Sequence, residues 1–109
     1  IEITQGIVST LKQTEKCDLI ICLSHLGYKY DDYQNKVSDT SLAKATKDID
    51  LIIGGHTHTF LNKPVVIDNI VGEKVIVNQV GCHGLFLGKI DFYFDSFKNK
   101  KYEGVSIEV

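Results

Sequence analysis

The stretch Leu51-Ile52-Ile53-Gly54-Gly55-His56-Thr57-His58 constrains this chain more than any other. Three apolar residues run into a glycine pair, and two histidines follow with one residue between them. The apolar run reads as a short buried strand, and the glycines as a sharp exit from its carboxyl end. Such an exit leaves His56 and His58 facing one small volume with little side-chain bulk beside them. Neutral imidazole nitrogen is a good ligand for zinc, manganese, iron or nickel, so a metal site is one reading. A tight turn carrying two polar rings is the other, and a short motif alone does not separate them.

A matching run lies upstream. Asp18-Leu19-Ile20-Ile21-Cys22-Leu23-Ser24 is continuously apolar, as expected for a parallel strand covered on both faces. It ends in Ser24-His25-Leu26-Gly27. Residues 28–37 hold Tyr28, Tyr30, Asp31, Asp32 and Tyr33 without a clear period and read as a surface loop. Their tyrosines fit loop packing better than substrate contact. Ser38 and Asp39 then offer helix caps to a short helix carrying Leu42, Ala43, Ala45, Thr46 and Ile49, and Asp50 opens the second strand. Residues 18–54 are thus predicted to form a strand–loop–helix–strand unit. A parallel pair joined this way crosses over right-handedly and brings both carboxyl ends to one edge. Ligands of open α/β sheets sit at that edge. Topology alone therefore directs His25, His56 and His58 to one crevice.

The flanking segments differ in pattern. Residues 4–16 set Ile7, Val8 and Leu11 against Lys12, Gln13, Glu15 and Lys16, an amphipathic helix weakened at its first turn by Gly6. Beyond residue 63, Pro64-Val65-Val66-Ile67 and Lys74-Val75-Ile76-Val77-Asn78 are short β-rich runs. Residues 85–95 alternate, with Ile90, Phe92 and Phe94 on one face. The last strand points Val105, Ile107 and Val109 one way and Ser106 and Glu108 the other. Such alternation belongs to antiparallel strands with one face in the core. The Lys98-Asn99-Lys100-Lys101 cluster reads as a solvated hairpin turn. The expected fold is a mixed α/β (α+β) domain, a parallel βαβ unit followed by antiparallel strands.

With 109 residues, 43% hydrophobic, and a formal net charge of −2, the chain has the make-up of one globular domain over residues 1–109. A near-neutral balance gives no support for nucleic-acid binding, and no apolar run is long enough to span a bilayer. The sequence opens on Ile1, which fits a processed product or an excised piece. Cys17 and Cys22 bracket a strand that would hold them roughly 16 Å apart, beyond disulfide reach. Both are expected as small buried hydrophobes; Cys82 lies in a loop between Gly81 and His83.

Ser24-His25-Leu26-Gly27 together with Asp48-Ile49-Asp50-Leu51-Ile52-Ile53-Gly54-Gly55-His56-Thr57-His58 resembles the second half of a calcineurin-like metallophosphoesterase domain. Within that superfamily the chain is most similar to the 5′-nucleotidases. Asn78-Gln79-Val80-Gly81-Cys82-His83-Gly84-Leu85-Phe86-Leu87-Gly88-Lys89-Ile90-Asp91-Phe92 extends the likeness to the whole chain. The resemblance implies a sandwich of two mixed sheets and two divalent ions, drawn from Zn, Mn, Fe, Ni, Co and Mg. It further implies that His25 and His56 ligate one ion and His58 the other. Two such cations lower the pKa of a bridging hydroxide and neutralise phosphoryl oxygens during in-line attack. Ligation needs neutral histidine, so binding weakens as pH falls through the imidazole range. The plain reading of His83 is a loop histidine; the alternative puts it beside the ligands or at the substrate edge.

The family's Asp-x-His, Gly-Asp-x-x-Asp and Gly-Asn-His motifs do not occur in this sequence. The expectation is therefore the carboxyl-terminal half of a catalytic domain, lacking its amino-terminal half and inactive by itself. The parent would hydrolyse nucleoside 5′-monophosphates or other phosphomonoesters and, by resemblance, work in the periplasm or outside the cell. Two other readings are a metal-binding or assembly module using one three-histidine site, and a half-sandwich that forms a homo-oligomer through exposed strands.

Overall fold

The computed structural model describes residues 1–32 and 35–109, so the expectation for Tyr33 lies outside the described residues. The apolar run at 18–24 is a strand only at Ile21–Leu23 (β1), and the second run gives Leu51–Ile53 (β2). They pair in parallel with Ile21 opposite Leu51 and Leu23 opposite Ile53, so both stop at one level. Between them lies the helix Asp39–Ala45 (α2). Its start is set by a reciprocal cap: Ser41 N donates to Ser38 Oγ while Ser38 N donates to Ser41 Oγ. Ser38 is thus the cap, and Asp39 is left free to turn inward.

Val65–Asp68 (β3) and Lys74–Asn78 (β4) form an antiparallel hairpin. β4 also joins β2 in parallel, with Leu51 opposite Ile76 and Ile53 opposite Asn78, giving the order β1-β2-β4-β3. The hydrophobic pattern alone did not mark this third parallel strand. Its consequence is large, because residues after Asn78 now leave from the same edge as His25 and His56.

The core lies on one face of this sheet. Ile20, Ile49, Ile52, Val75 and Val77 pack with Val8 of the helix Glu2–Gln13 (α1) and with Leu42 and Ala43 of α2. Ile7, expected beside Val8, is 59% exposed; Leu11 and Val8 alone reach the sheet from that stripe.

The second face is only partly covered. Phe86–Phe94 (β5) and Lys100–Glu108 (β6) make a two-stranded antiparallel ribbon. Leu51 and Ile76 are buried, whereas Ile21, Leu23 and Ile53 remain 46, 79 and 43% exposed. The expectation that β1 is covered on both faces is therefore corrected: two strands are too few to reach across a four-stranded sheet. Val105 and Ile107, expected in the core, also face outward. The inward positions of β6 are Tyr102, Gly104 and Ser106. Pro64 packs where a Cβ of residue 104 would stand, and Ser106 Oγ donates to Leu61 O at 2.6 Å. Close backbone approach decides this face, and aliphatic bulk does not fit it.

The lysine cluster forms the expected hairpin turn, with Lys98 and Lys101 exposed, and Lys98 and Lys100 also make a latch. Lys100 Nζ pairs with Asp50 and donates to Asp18 O, and Lys98 Nζ pairs with Asp18 at 2.7 Å. The other oxygen of Asp50 accepts from Ile20 N at 2.8 Å. Lys98 holds the Asp18 carboxyl below the usual aspartate range. These bonds tie the ribbon to the amino-terminal edge of β1 and β2, away from the histidines. Cys17, Cys22 and Cys82 are free thiols, as expected for the first two.

The Lys100–Asp50 pair is mostly shielded, so Lys100→Met should cost about 1.5–3 kcal/mol, the range for hydrogen bonds to charged groups. Chemical denaturation measures it. Lys89→Met, which removes an exposed pair with Asp91, should leave the midpoint unchanged.

Candidate functional site

Three strands end together, and three turns leave them. Ser24 N donates to Ile53 O at 2.9 Å and Gly54 N to Asn78 O at 2.8 Å, so the exits of β1, β2 and β4 are hydrogen-bonded side by side. The β1 exit carries His25, the β2 exit His56 and His58, and the β4 exit Gln79 and, further on, His83. The rings of His25 and His56 meet edge to face with centres 5.2 Å apart. His58 lies beside His83 instead, with ring centres 6.2 Å apart.

A simple test asks whether these pairs fit a shared cation. An imidazole bound through one nitrogen at about 2.1 Å has its ring centre about 3.2 Å from the ion. Two such rings at a tetrahedral angle are then roughly 5 Å apart. The His25–His56 separation fits one ion. The His58–His83 separation is too long for that without ring movement. Among the described residues, no group of three or more His, Cys, Asp or Glu side chains converges as a metal-holding set. The single three-histidine site considered from the sequence is therefore not assembled among them. An ion on His25 and His56 would need further donors.

The turns are shaped by two buried polar side chains that the motif reading passed over. Asp39 is fully buried, and its Oδ1 accepts from Ser24 Oγ, which itself accepts from Leu26 N at 3.2 Å. Asp39 N donates to Gly27 O at 2.8 Å. These bonds bracket His25 on both sides. Gln79 is 2% exposed and does the same for the β2 exit. Its Nε2 donates to Gly55 O at 2.9 Å, and its Oε1 accepts from Thr59 N at 2.6 Å and Thr57 Oγ1 at 3.1 Å. Thr57 Oγ1 also accepts from Tyr28 N at 2.9 Å, linking the β2 exit to the β1 exit.

Asp39 and Gln79 converge on Gly54. A Cβ there would collide with Asp39 Oδ2 and lie 3.2 Å from Gln79 Nε2, and one at Gly55 would lie 3.1 Å from His25 Nδ1. The glycine pair is thus required by close approach. His56, His58 and His83 carry the backbone strain instead, at φ 74, 53 and 62°. Non-glycine residues in that region are uncommon and tend to persist where surrounding structure overdetermines them.

No protein-family model matches the chain. It is 43% identical over 94 residues to the trifunctional nucleotide phosphoesterase protein YfkN of Bacillus subtilis (strain 168), a match covering 86% of this chain and 6% of that protein. The crystal structure of a 5′-nucleotidase precursor from Thermus thermophilus superposes with a TM-score of 0.81 at 28% identity, over 98% of this chain and 22% of that one. The chain belongs to the 5′-nucleotidase family. It is also 30% identical over 93 residues to a snake venom 5′-nucleotidase of Crotalus adamanteus, covering 73% of this chain and 14% of that protein. The chain thus spans less than a quarter of the length of these relatives.

In this member of the 5′-nucleotidase family, burial pushes the Asp39 carboxyl up, opposed by the Ser24 hydroxyl and by His25. Among the described residues, Asp39 Oδ2 has no hydrogen-bond partner, nor does Asn78 Oδ1 at the end of β4. Burial and the neighbouring Asp39 also raise the Cys22 thiol, which keeps it an unreactive packing group. Sequence signals for Asp39 and Gln79 existed. A polar residue just inside a capped helix, and another just after an apolar strand, both face the histidine edge once β4 is known to be parallel.

Substitutions at Gly54 and Asp39 probe this packing. Gly54→Ala should destabilise by about 1–3 kcal/mol, the range for overpacking, and perturb both His25 and His56 in NMR spectra. For Asp39, a raised folded value means the folded state binds more protons than the unfolded one just above the ordinary aspartate pKa. Stability therefore falls as pH rises through that window. Asp39→Asn should abolish this fall, read as Tm against pH from 3.5 to 7.

Proposed function

We propose that residues 1–109 are the carboxyl-terminal half of the catalytic domain of a metal-dependent phosphomonoester hydrolase acting on nucleoside 5′-monophosphates. The observation that carries this is the His25–His56 ring pair, 5.2 Å apart at the adjoining ends of two parallel strands. In this reading His25 and His56 hold one divalent ion and His58 helps hold a second. When bound, such ions supply an activated water and neutralise charge on the phosphoryl group.

The chain's own residues prepare that chemistry. Asp39 braces the turn that carries His25 through Ser24 Oγ and Gly27 O. In this reading His83, whose ring centre lies 6.2 Å from that of His58, is available to a substrate oxygen. The remaining donors would come from the family motifs that this sequence lacks, consistent with the short span of the relatives that it covers. The open apolar surface of Ile21, Leu23 and Ile53 is the place for the other half of the domain to pack. Without that half, the same surface would favour self-association. A periplasmic or extracellular setting is the favoured location. It is supported by a relative named as a venom protein, and among the described residues no helix is long and apolar enough to cross a membrane.

The test is hydrolysis of AMP and of a generic aryl phosphate, with Mn²⁺ supplied, by the full-length parent and by the 109-residue chain. The parent should turn over both substrates, and His56→Ala in it should lower kcat/KM at least about a hundredfold, given several kcal/mol of metal charge stabilisation. The isolated chain should be nearly inactive. Robust turnover by the 109 residues, or an unaffected His56→Ala parent, would overturn the reading.

A further inference from the structure

Resting on that reading, we propose that Gln79 is the positioning residue that presets the His56–His58 turn for ion binding. Its buried amide bonds to residues 55, 57 and 59, alternate positions that flank each histidine, and none of these bonds goes to an imidazole. The carboxamide oxygen has two acceptor sites, and Thr57 and Thr59 fill both. The rings are thereby left free while their backbone is held on either side.

Two features make this more than packing. His56 and His58 both sit in the left-handed region, where an unsupported turn would relax toward commoner conformations. The bonds from Gln79 oppose that relaxation at both histidines. Gln79 also leaves from β4, so it anchors the β2 exit to a neighbouring strand rather than to itself. Through Thr57 Oγ1 and Tyr28 N the same connection reaches the loop that carries His25. One amide therefore joins all three strand exits, and the 5.2 Å approach of His25 and His56 depends on their not swinging apart.

The experiment uses the full-length parent protein with Co²⁺ as probe, and compares Gln79→Leu with Asn69→Ala. Asn69 is buried and accepts from Val71 N and Glu73 N in the β3–β4 turn, away from the histidines. Calorimetry reads Co²⁺ affinity, and amide hydrogen exchange reads the Thr59 N–H. In Gln79→Leu, Thr59 exchange should rise at least tenfold while β4 amides stay protected. Co²⁺ affinity should fall about 10–100-fold, as for other groups that orient metal ligands. Asn69→Ala should lower Tm yet leave affinity within twofold. Thr57→Val, nearly isosteric and expected to fold, should lower affinity by a smaller factor.

Wild-type Thr59 protection together with unchanged affinity in Gln79→Leu would overturn the proposal. So would an Asn69→Ala loss as large as that of Gln79→Leu. Should Gln79→Leu not fold, unchanged affinity in Thr57→Val counts against it equally. A wild-type parent that binds no Co²⁺ would count against the functional reading, and the Thr59 exchange alone would then decide the role of Gln79.

Discussion

The carboxyl edge of this sheet depends on the absence of one atom, the Cβ of Gly54. That gap lets a buried carboxylate, Asp39, and a buried amide, Gln79, approach the same strand exit from two sides. Burying such groups is costly unless they are hydrogen-bonded, and the bonds they make go to the turns that carry histidines, with Asp39 Oδ2 left unpaired among the described residues. The cost of desolvation is thereby converted into local rigidity. His25 and His56 meet because their backbones are held and not because their rings attract each other.

The two ends of the sheet are organised differently. At the amino-terminal edge, Lys98 and Lys100 reach from the ribbon to Asp18 and Asp50 and fix one layer on the other. At the carboxyl edge, the buried Asp39 and Gln79 brace the histidine turns, and His56, His58 and His83 take up positive φ, as Lys16, Asp48 and Lys98 do at the other end. Between them the uncovered side chains of Ile21, Leu23 and Ile53 mark the surface where the fold is least self-sufficient.

Much of this was legible in the residues. The βαβ unit, the glycine exit and the convergence of His25 with His56 follow from two apolar runs and the rule that parallel strands share a carboxyl edge. The cap at Ser38 was legible too, while Asp39 looked like a second cap because helix-start residues and buried site residues are drawn from the same polar set. What could not be read was the parallel placement of β4. A short buried strand has no periodicity that reports its direction, so Gln79 and His83 could not be assigned to the histidine edge. The outward turn of Val105 and Ile107 was hidden for a related reason: alternation shows that two faces exist, and contact with Pro64 and Leu61 decides which one is inside.

The central claim is that His25 and His56 are set to share one cation. Anomalous diffraction from crystals of the protein soaked in Co²⁺ tests it most directly. The expected result is a peak within about 2.1 Å of one nitrogen from each ring, with the rings close to their present separation of 5.2 Å. Full occupancy elsewhere with no density between these two rings would contradict it.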